Sequence, residues 1–312
     1  MLKHFLSLDT LSPREFAELL AVALYLKRRR AQGITEHALA GKTLAMVFEK
    51  PSLRTRLSFE QAMNELGGKS IYIRGEEIGL GKREPIQDVA RVLSRYVQGI
   101  MARVYKHESV AGLAQYGTVP VVNGLCDRYH PCQALGDFLT IREHLGTTSG
   151  LKIVFVGDGN NVARSLANAT VLGGSEFVLA CPAGYGWSDA DRVRYKGQPV
   201  SEVADVQRAV AGAHVLYTDV WTSMGQEAEQ AKRIRDFQGY QINAALINQA
   251  RPDARIMHCL PAHRDEEITN DAVEHPRSII FDQAENRLHA QKAVLRLLMA
   301  NDAEQVIAAA KV

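Results

Sequence analysis

The chain has 312 residues, 46% hydrophobic and 23% charged, with a formal net charge of +2. That length normally divides into two domains with separate cores, and that composition excludes a disordered chain or a fibre. Basic residues are scattered, Lys27-Arg28-Arg29-Arg30 being the only run; it reads as a solvated helix end rather than a nucleic-acid patch.

No apolar run approaches the ~18 residues needed to cross a bilayer, so no membrane partner is expected. The first residues, Met1-Leu2-Lys3-His4, lack the apolar stretch of a signal peptide. Cys126, Cys132, Cys181 and Cys259 form no C-x-x-C pair and no zinc-spaced cluster. No metal is expected, and so few cysteines fit a cytoplasmic protein with reduced thiols.

In chain order, Ser12-Pro13 with Glu15 predicts a helix start, with Phe16, Leu19, Leu20 and Ala23 on its apolar face. Strands are predicted at 43–48, 70–73, 99–104 and 119–123. A glycine-rich polar break at 146–150 divides the chain into domains of 1–148 and 149–283. The second half holds strand candidates at 151–156, 177–180, 215–218, 256–259 and 279–281. The stretch 182–200, with Gly184, Gly186 and Gly197, reads as loop, and a last helix runs from near Ala284 past Leu298. Buried strands alternating with helices imply an α/β chain of two doubly wound domains with mainly parallel sheets.

The first chemical signal follows the strand 43–48. Ser52-Leu53-Arg54-Thr55-Arg56 sits at a strand-to-helix turn, with Phe59, Ala62, Met63 and Leu66 at helical spacing behind it. Free N–H groups and the positive end of the helix dipole favour an anion there. Ser52 and Thr55 add hydroxyls, and Arg54 and Arg56 add guanidinium forks suited to phosphate. The glycine pattern of a P-loop is absent.

This segment resembles the phosphate motif of the aspartate/ornithine carbamoyltransferase family. Further landmarks follow in the family's order: Arg103, His130-Pro131-Cys132-Gln133, Asp219 to Gly225, His258-Cys259-Leu260-Pro261, and Glu285-Asn286-Arg287. The resemblance covers nearly the whole chain. It implies a carbamoyl phosphate domain, an amine-substrate domain, a C-terminal helix (284–312) packing back on the first domain, and homotrimers or multiples of trimers. The implied reaction is carbamoyl transfer from carbamoyl phosphate to L-ornithine, giving citrulline and phosphate in arginine biosynthesis, with no cofactor.

By the same resemblance, carbamoyl phosphate meets Ser52, Leu53, Arg54, Thr55, Arg56, Arg103, His130, Gln133, Leu260 and Arg287. Ornithine meets Asn161, Asp219, Ser223 and Met224. Arg103, His130, Asp219, Cys259 and Arg287 carry the catalysis. His130 and Gln133, three residues apart, share one face of a helical turn. This chain departs from the family pattern at Leu53, where a hydroxyl residue is usual, and at Gly79, where many members carry glutamine. Lys82 or Arg83 is the candidate to replace that glutamine by charge, Lys82 being the expected contact with a neighbouring subunit's phosphate.

Three other readings compete. Gly157-Asp158-Gly159-Asn160-Asn161-Val162 approaches a dinucleotide fingerprint, as in an NAD-dependent dehydrogenase. Val162 replaces the third small residue, however, and Cys181-Pro182 stands where an acidic residue should meet the ribose. A carbamoyltransferase for another amine, such as putrescine or an acylated ornithine, differs only in the second-substrate residues. A non-catalytic binding protein would not need Arg103, His130, Gln133, Asp219 and Cys259 together.

Overall fold

A computed structural model describes residues 2–223 and 225–311, so Met224, an expected ornithine contact, lies outside the described residues. The chain folds as two compact units, Met1–Leu139 with Glu285–Val312, and Thr140–Ala284. The division falls inside the helix Pro131–Leu145, a few residues before the glycine break at 146–150.

In the first unit, β1 (Thr43–Phe48), β2 (Lys69–Arg74), β3 (Gly99–Arg103) and β4 (Val121–Leu125) form a parallel sheet ordered β2-β1-β3-β4. β1 and β3 are buried almost throughout, the mark of central strands covered on both faces. Val47, Ile100, Ala102, Val110, Leu113 and Val121 form part of one core cluster. The helix Pro13–Ala31 opens with the anticipated Ser12/Glu15 capping box. Its basic run occupies the last turn, where cations complement the exposed carbonyls.

The helix Ile280–Met299 carries the chain from the second unit into the first. Gly136 allows its close approach: a Cβ there would meet the Arg287 backbone nitrogen at 3.3 Å. Lys292 Nζ holds Glu65 at 2.8 Å and Lys27 Nζ holds Asn286 at 2.9 Å. A separate short helix, Ala303–Ala310, ends the described chain.

In the second unit, β5 (Lys152–Val156), β6 (Glu176–Ala180), β7 (Val200–Val203), β8 (Val215–Thr218) and β9 (Arg255–His258) form a parallel sheet ordered β7-β6-β5-β8-β9. Three details differ from expectation. The apolar run 279–281 is not a strand: Ile279 N–H bonds the Ile256 carbonyl at 3.0 Å, then Gln283 N–H bonds the Ile279 carbonyl at 2.9 Å and the helix closes. An apolar run this short carries no period that separates the two states. β7, an edge strand with exposed Ser201 and Glu202, gave no apolar signal. Within 182–200 stands the helix Asp189–Tyr195, capped by Ser188 and pinned by Arg164 to Asp191 at 2.7 Å. Among the described residues, no helix is long and apolar enough to cross a membrane.

Candidate active site

In an open parallel sheet, ligands gather where the strand order reverses, beyond the carboxyl ends of the strands. In the first unit that point lies between β1 and β3, whose last residues Phe48 and Arg103 are register partners. Ser52 follows β1 and caps the helix Leu53–Glu65, its Oγ accepting from Thr55 N–H at 3.3 Å. The Ser52 and Thr55 hydroxyls share a 3.0 Å hydrogen bond. Fully buried Thr55 also accepts from Arg103 Nη1 at 3.4 Å and from Arg287 Nη2 at 3.1 Å.

Arg287 Nη1 donates to Gln133 Oε1 at 2.7 Å, and Gln133 Nε2 donates to Asp137 Oδ1 at 2.7 Å. The Gln133 amide is thereby fixed in one orientation. Burial, then the charges of Arg287 and Arg103, holds the His130 imidazole well below its ordinary pKa. A neutral ring therefore stands within the influence of two cations, able to offer one N–H. Half-buried Lys50, unanticipated from sequence, lies 4.5 Å from the Tyr105 ring centroid, and burial and Arg103 lower its pKa.

Ser52, Thr55, Arg103, His130, Gln133 and Arg287 thus form one cluster, with half-buried Arg54 on the same helical turn. Arg56 is turned away, paired with Glu60 at 2.9 Å and 4.4 Å from the Tyr72 ring centroid. Leu53 is 71% exposed, so its side chain is no part of the cluster. Exposed Lys82 lines a cavity of about 930 Å³ with Phe48, Tyr72, Gly79 and Tyr105.

The second unit repeats the logic between β5 and β8, where Val156 and Thr218 are register partners. Asn160 caps the helix Asn161–Leu172, its Oδ1 accepting from Val162 and Ala163 N–H at 2.9 and 3.0 Å. Its Nδ2 donates to Asp219 Oδ2 at 3.0 Å. Asp219 Oδ1 accepts from its neighbour Val220 N–H at 2.9 Å and from the Cys259 thiol at 3.0 Å. Asp219 and Cys259 therefore touch, and the residue that orients the carboxylate is Asn160, which is not among the expected site residues. Its signal was present: asparagine after a strand is a preferred helix cap. Half-buried Asn161 starts that helix, and half-buried Ser223 bonds through its N–H to Gln226 Oε1 at 3.2 Å.

Behind Cys259, His258 Nδ1 accepts from Leu260 N–H at 2.9 Å, so Nε2 carries the proton donated to Glu267 Oε1 at 2.9 Å. This pair restrains Leu260, whose φ of 56° is unfavourable for a branched side chain. Arg233 joins Asp158 Oδ2 at 2.7 Å to the Trp221 carbonyl at 2.9 Å. The fingerprint-like Gly159 has a packing reason: a Cβ there would stand 2.8 Å from the Gly186 carbonyl oxygen.

Residues 3–143 match the family domain described as "Aspartate/ornithine carbamoyltransferase, carbamoyl-P binding domain", and residues 149–298 match its "Asp/Orn binding domain". The chain is 51% identical over 297 residues to "Ornithine carbamoyltransferase" of Thermus thermophilus, covering 95% of this chain and 97% of that one. It is 50% identical over 304 residues to "Ornithine carbamoyltransferase, anabolic" of Pyrococcus furiosus, covering 95% and 96%. The solved structure of ornithine carbamoyltransferase from Pyrococcus furiosus superposes with a TM-score of 0.91 at 49% identity, over 95% of this chain and 97% of that one. Two reversal points furnished with these side chains, and these matches along nearly the whole length, lead to one conclusion: the chain belongs to the aspartate/ornithine carbamoyltransferase family.

Proposed function

We propose that the protein transfers the carbamoyl group of carbamoyl phosphate to the side-chain amine of L-ornithine, giving citrulline and phosphate. The observation that carries this reading is the Asn160–Asp219–Cys259 constellation at the second reversal point, in a chain similar to ornithine carbamoyltransferases.

The phosphate dianion docks at the helix start, on Ser52, Thr55, Arg54 and the Leu53 N–H. Arg56 joins only by leaving Glu60 and Tyr72. As the amine attacks, the carbonyl oxygen gains negative charge and needs preorganised donors. Thr55, Arg103 and His130 supply them. Neutral His130 offers an N–H without adding a third cation to the cluster. Gln133, Arg287 and Leu260 orient the carbamoyl group.

Asp219, Asn161 and Ser223 hold the amino-acid head group, with Met224 as a further contact. Asp219 and Cys259 also stand by the attacking amine. That amine is protonated in water, with a pKa near ~10.4. Of the two protons the nitrogen sheds, one leaves before attack and the other goes with the departing phosphate. Direct attack needs orientation and charge stabilisation, not a covalent enzyme intermediate. We assign the reaction to arginine biosynthesis, supported by the relative named anabolic, and place the protein in the cytoplasm, supported by its having four cysteines in 312 residues. We further propose a homotrimer in which exposed Lys82 reaches the neighbouring subunit's phosphate; a monomeric mass by light scattering would contradict it.

The test of the substrate assignment is Asp219→Asn. It raises KM for ornithine and leaves affinity for carbamoyl phosphate unchanged. The opposite pattern would overturn the division of roles.

A further inference from the structure

His263, Glu266 and Glu267 lie on one irregular turn beyond the Cys259-Leu260-Pro261 segment. Each offers one metal-ligating atom, and the three atoms lie within 4.8 Å of one another. His263 Nδ1 and Glu266 Oε2 are 3.5 Å apart. Two donors of a tetrahedral zinc site, each ~2.0–2.2 Å from the ion, stand about 3.3–3.6 Å apart.

Glu267 supplies the second observation. It is fully buried; Oε1 accepts from His258 Nε2 at 2.9 Å and from His263 N–H at 2.7 Å, while buried Oε2 meets no hydrogen-bond donor among the described residues. A buried carboxylate oxygen without a partner is costly, and a cation satisfies it. The side chains of His263 and Glu266 are 43% and 32% exposed, leaving the turn open to an arriving ion and a water ligand.

We propose that His263 Nδ1, Glu266 and Glu267 bind a divalent transition-metal ion of the Zn²⁺ class, with water completing the tetrahedron. Imidazole and carboxylate donors suit such an ion. A second group of donor atoms, on Asp219, His258 and Cys259, is less suited. Both His258 ring nitrogens already hold hydrogen bonds that fix Leu260 and Glu267. The ion at Glu267 sits one hydrogen bond from His258, so occupancy stiffens the segment that carries Cys259.

The test is titration of the full chain with Co²⁺, followed by visible and near-ultraviolet absorption and by thermal unfolding. The expected result is tetrahedral visible bands without a thiolate charge-transfer band, displaced by Zn²⁺, and a raised Tm. His263→Ala and Glu266→Gln lose both signals while their circular dichroism stays native, and Cys259→Ser keeps both. No binding, unchanged binding in His263→Ala and Glu266→Gln, or a thiolate band that vanishes in Cys259→Ser would each overturn the site.

Discussion

Replacing Arg233 with methionine removes the donor that joins Asp158 Oδ2 at 2.7 Å to the Trp221 carbonyl at 2.9 Å. The side chains of Arg233 and Asp158 are only 7% and 16% exposed. Burial already pushes the Asp158 carboxyl up, and Arg233 is the charge that pulls it back. Losing one partner of such a buried pair costs about 3–5 kcal/mol. The bond to Glu229, 56% exposed, adds little. The carboxyl can escape part of the penalty by taking a proton, so the loss should fall near about 3 kcal/mol around neutral pH.

The pH dependence has a definite sign. In Arg233→Met the folded pKa of Asp158 rises further above its unfolded value of about 3.9, so the folded state binds more protons. The deficit therefore shrinks as pH falls towards that value and grows as pH rises through the folded pKa. Urea unfolding read by tryptophan fluorescence suits the test, because Trp187 and Trp221, the chain's two tryptophans, both lie in the second unit. Asp158→Asn in the same chain should restore most of the loss. A deficit under about 1 kcal/mol, or one that the second substitution merely adds to, would refute the buried-pair reasoning.

Three other predictions follow from named geometry. Arg54→Ala, on the half-buried first helical turn, should weaken carbamoyl phosphate binding about 10- to 100-fold by calorimetry with the fold intact; unchanged affinity would remove Arg54 from the site. His130, held neutral in the folded protein, must gain a proton on unfolding in acid. Stability should therefore fall as pH drops below about 6.5, by up to ~1.4 kcal/mol per pH unit for this group, and His130→Gln should lessen that slope. An unaltered slope would contradict the buried neutral ring. Gly159→Ala places a methyl 2.8 Å from the Gly186 carbonyl and should cost about 1–3 kcal/mol in urea unfolding, whereas native-like stability would show that the loop yields freely.

Much of this architecture is legible in the sequence because its cues are local. The Ser12/Glu15 box, the apolar strands 43–48 and 215–218, and the Ser52 turn each depend on residues within a few positions of one another. The α/β class and the family follow from their order along the chain. What stayed hidden depends on distant partners. No spacing rule joins Arg287 to Thr55 across 232 positions, or Asn160 to Asp219 across 59. The motif could name Arg56, yet its turn onto Glu60 and Tyr72 arises from the helix and β2 together. The run 279–281 reads as a strand because three apolar residues carry no period, although Ile279 and Ile280 are buried while Phe281 is exposed on the helix, and β7 gives no signal because an edge strand need not be apolar.

The central claim is most directly tested by supplying carbamoyl phosphate with ornithine, putrescine, N-acetylornithine, lysine or aspartate and measuring carbamoylated product and phosphate. The expected result is citrulline from ornithine, with kcat/KM far above that of every other amine. Preference for putrescine or N-acetylornithine would leave the Ser52–Arg287 cluster in place and contradict the assignment of Asp219, Ser223 and Asn161; no turnover with any amine would contradict the carbamoyl transfer itself.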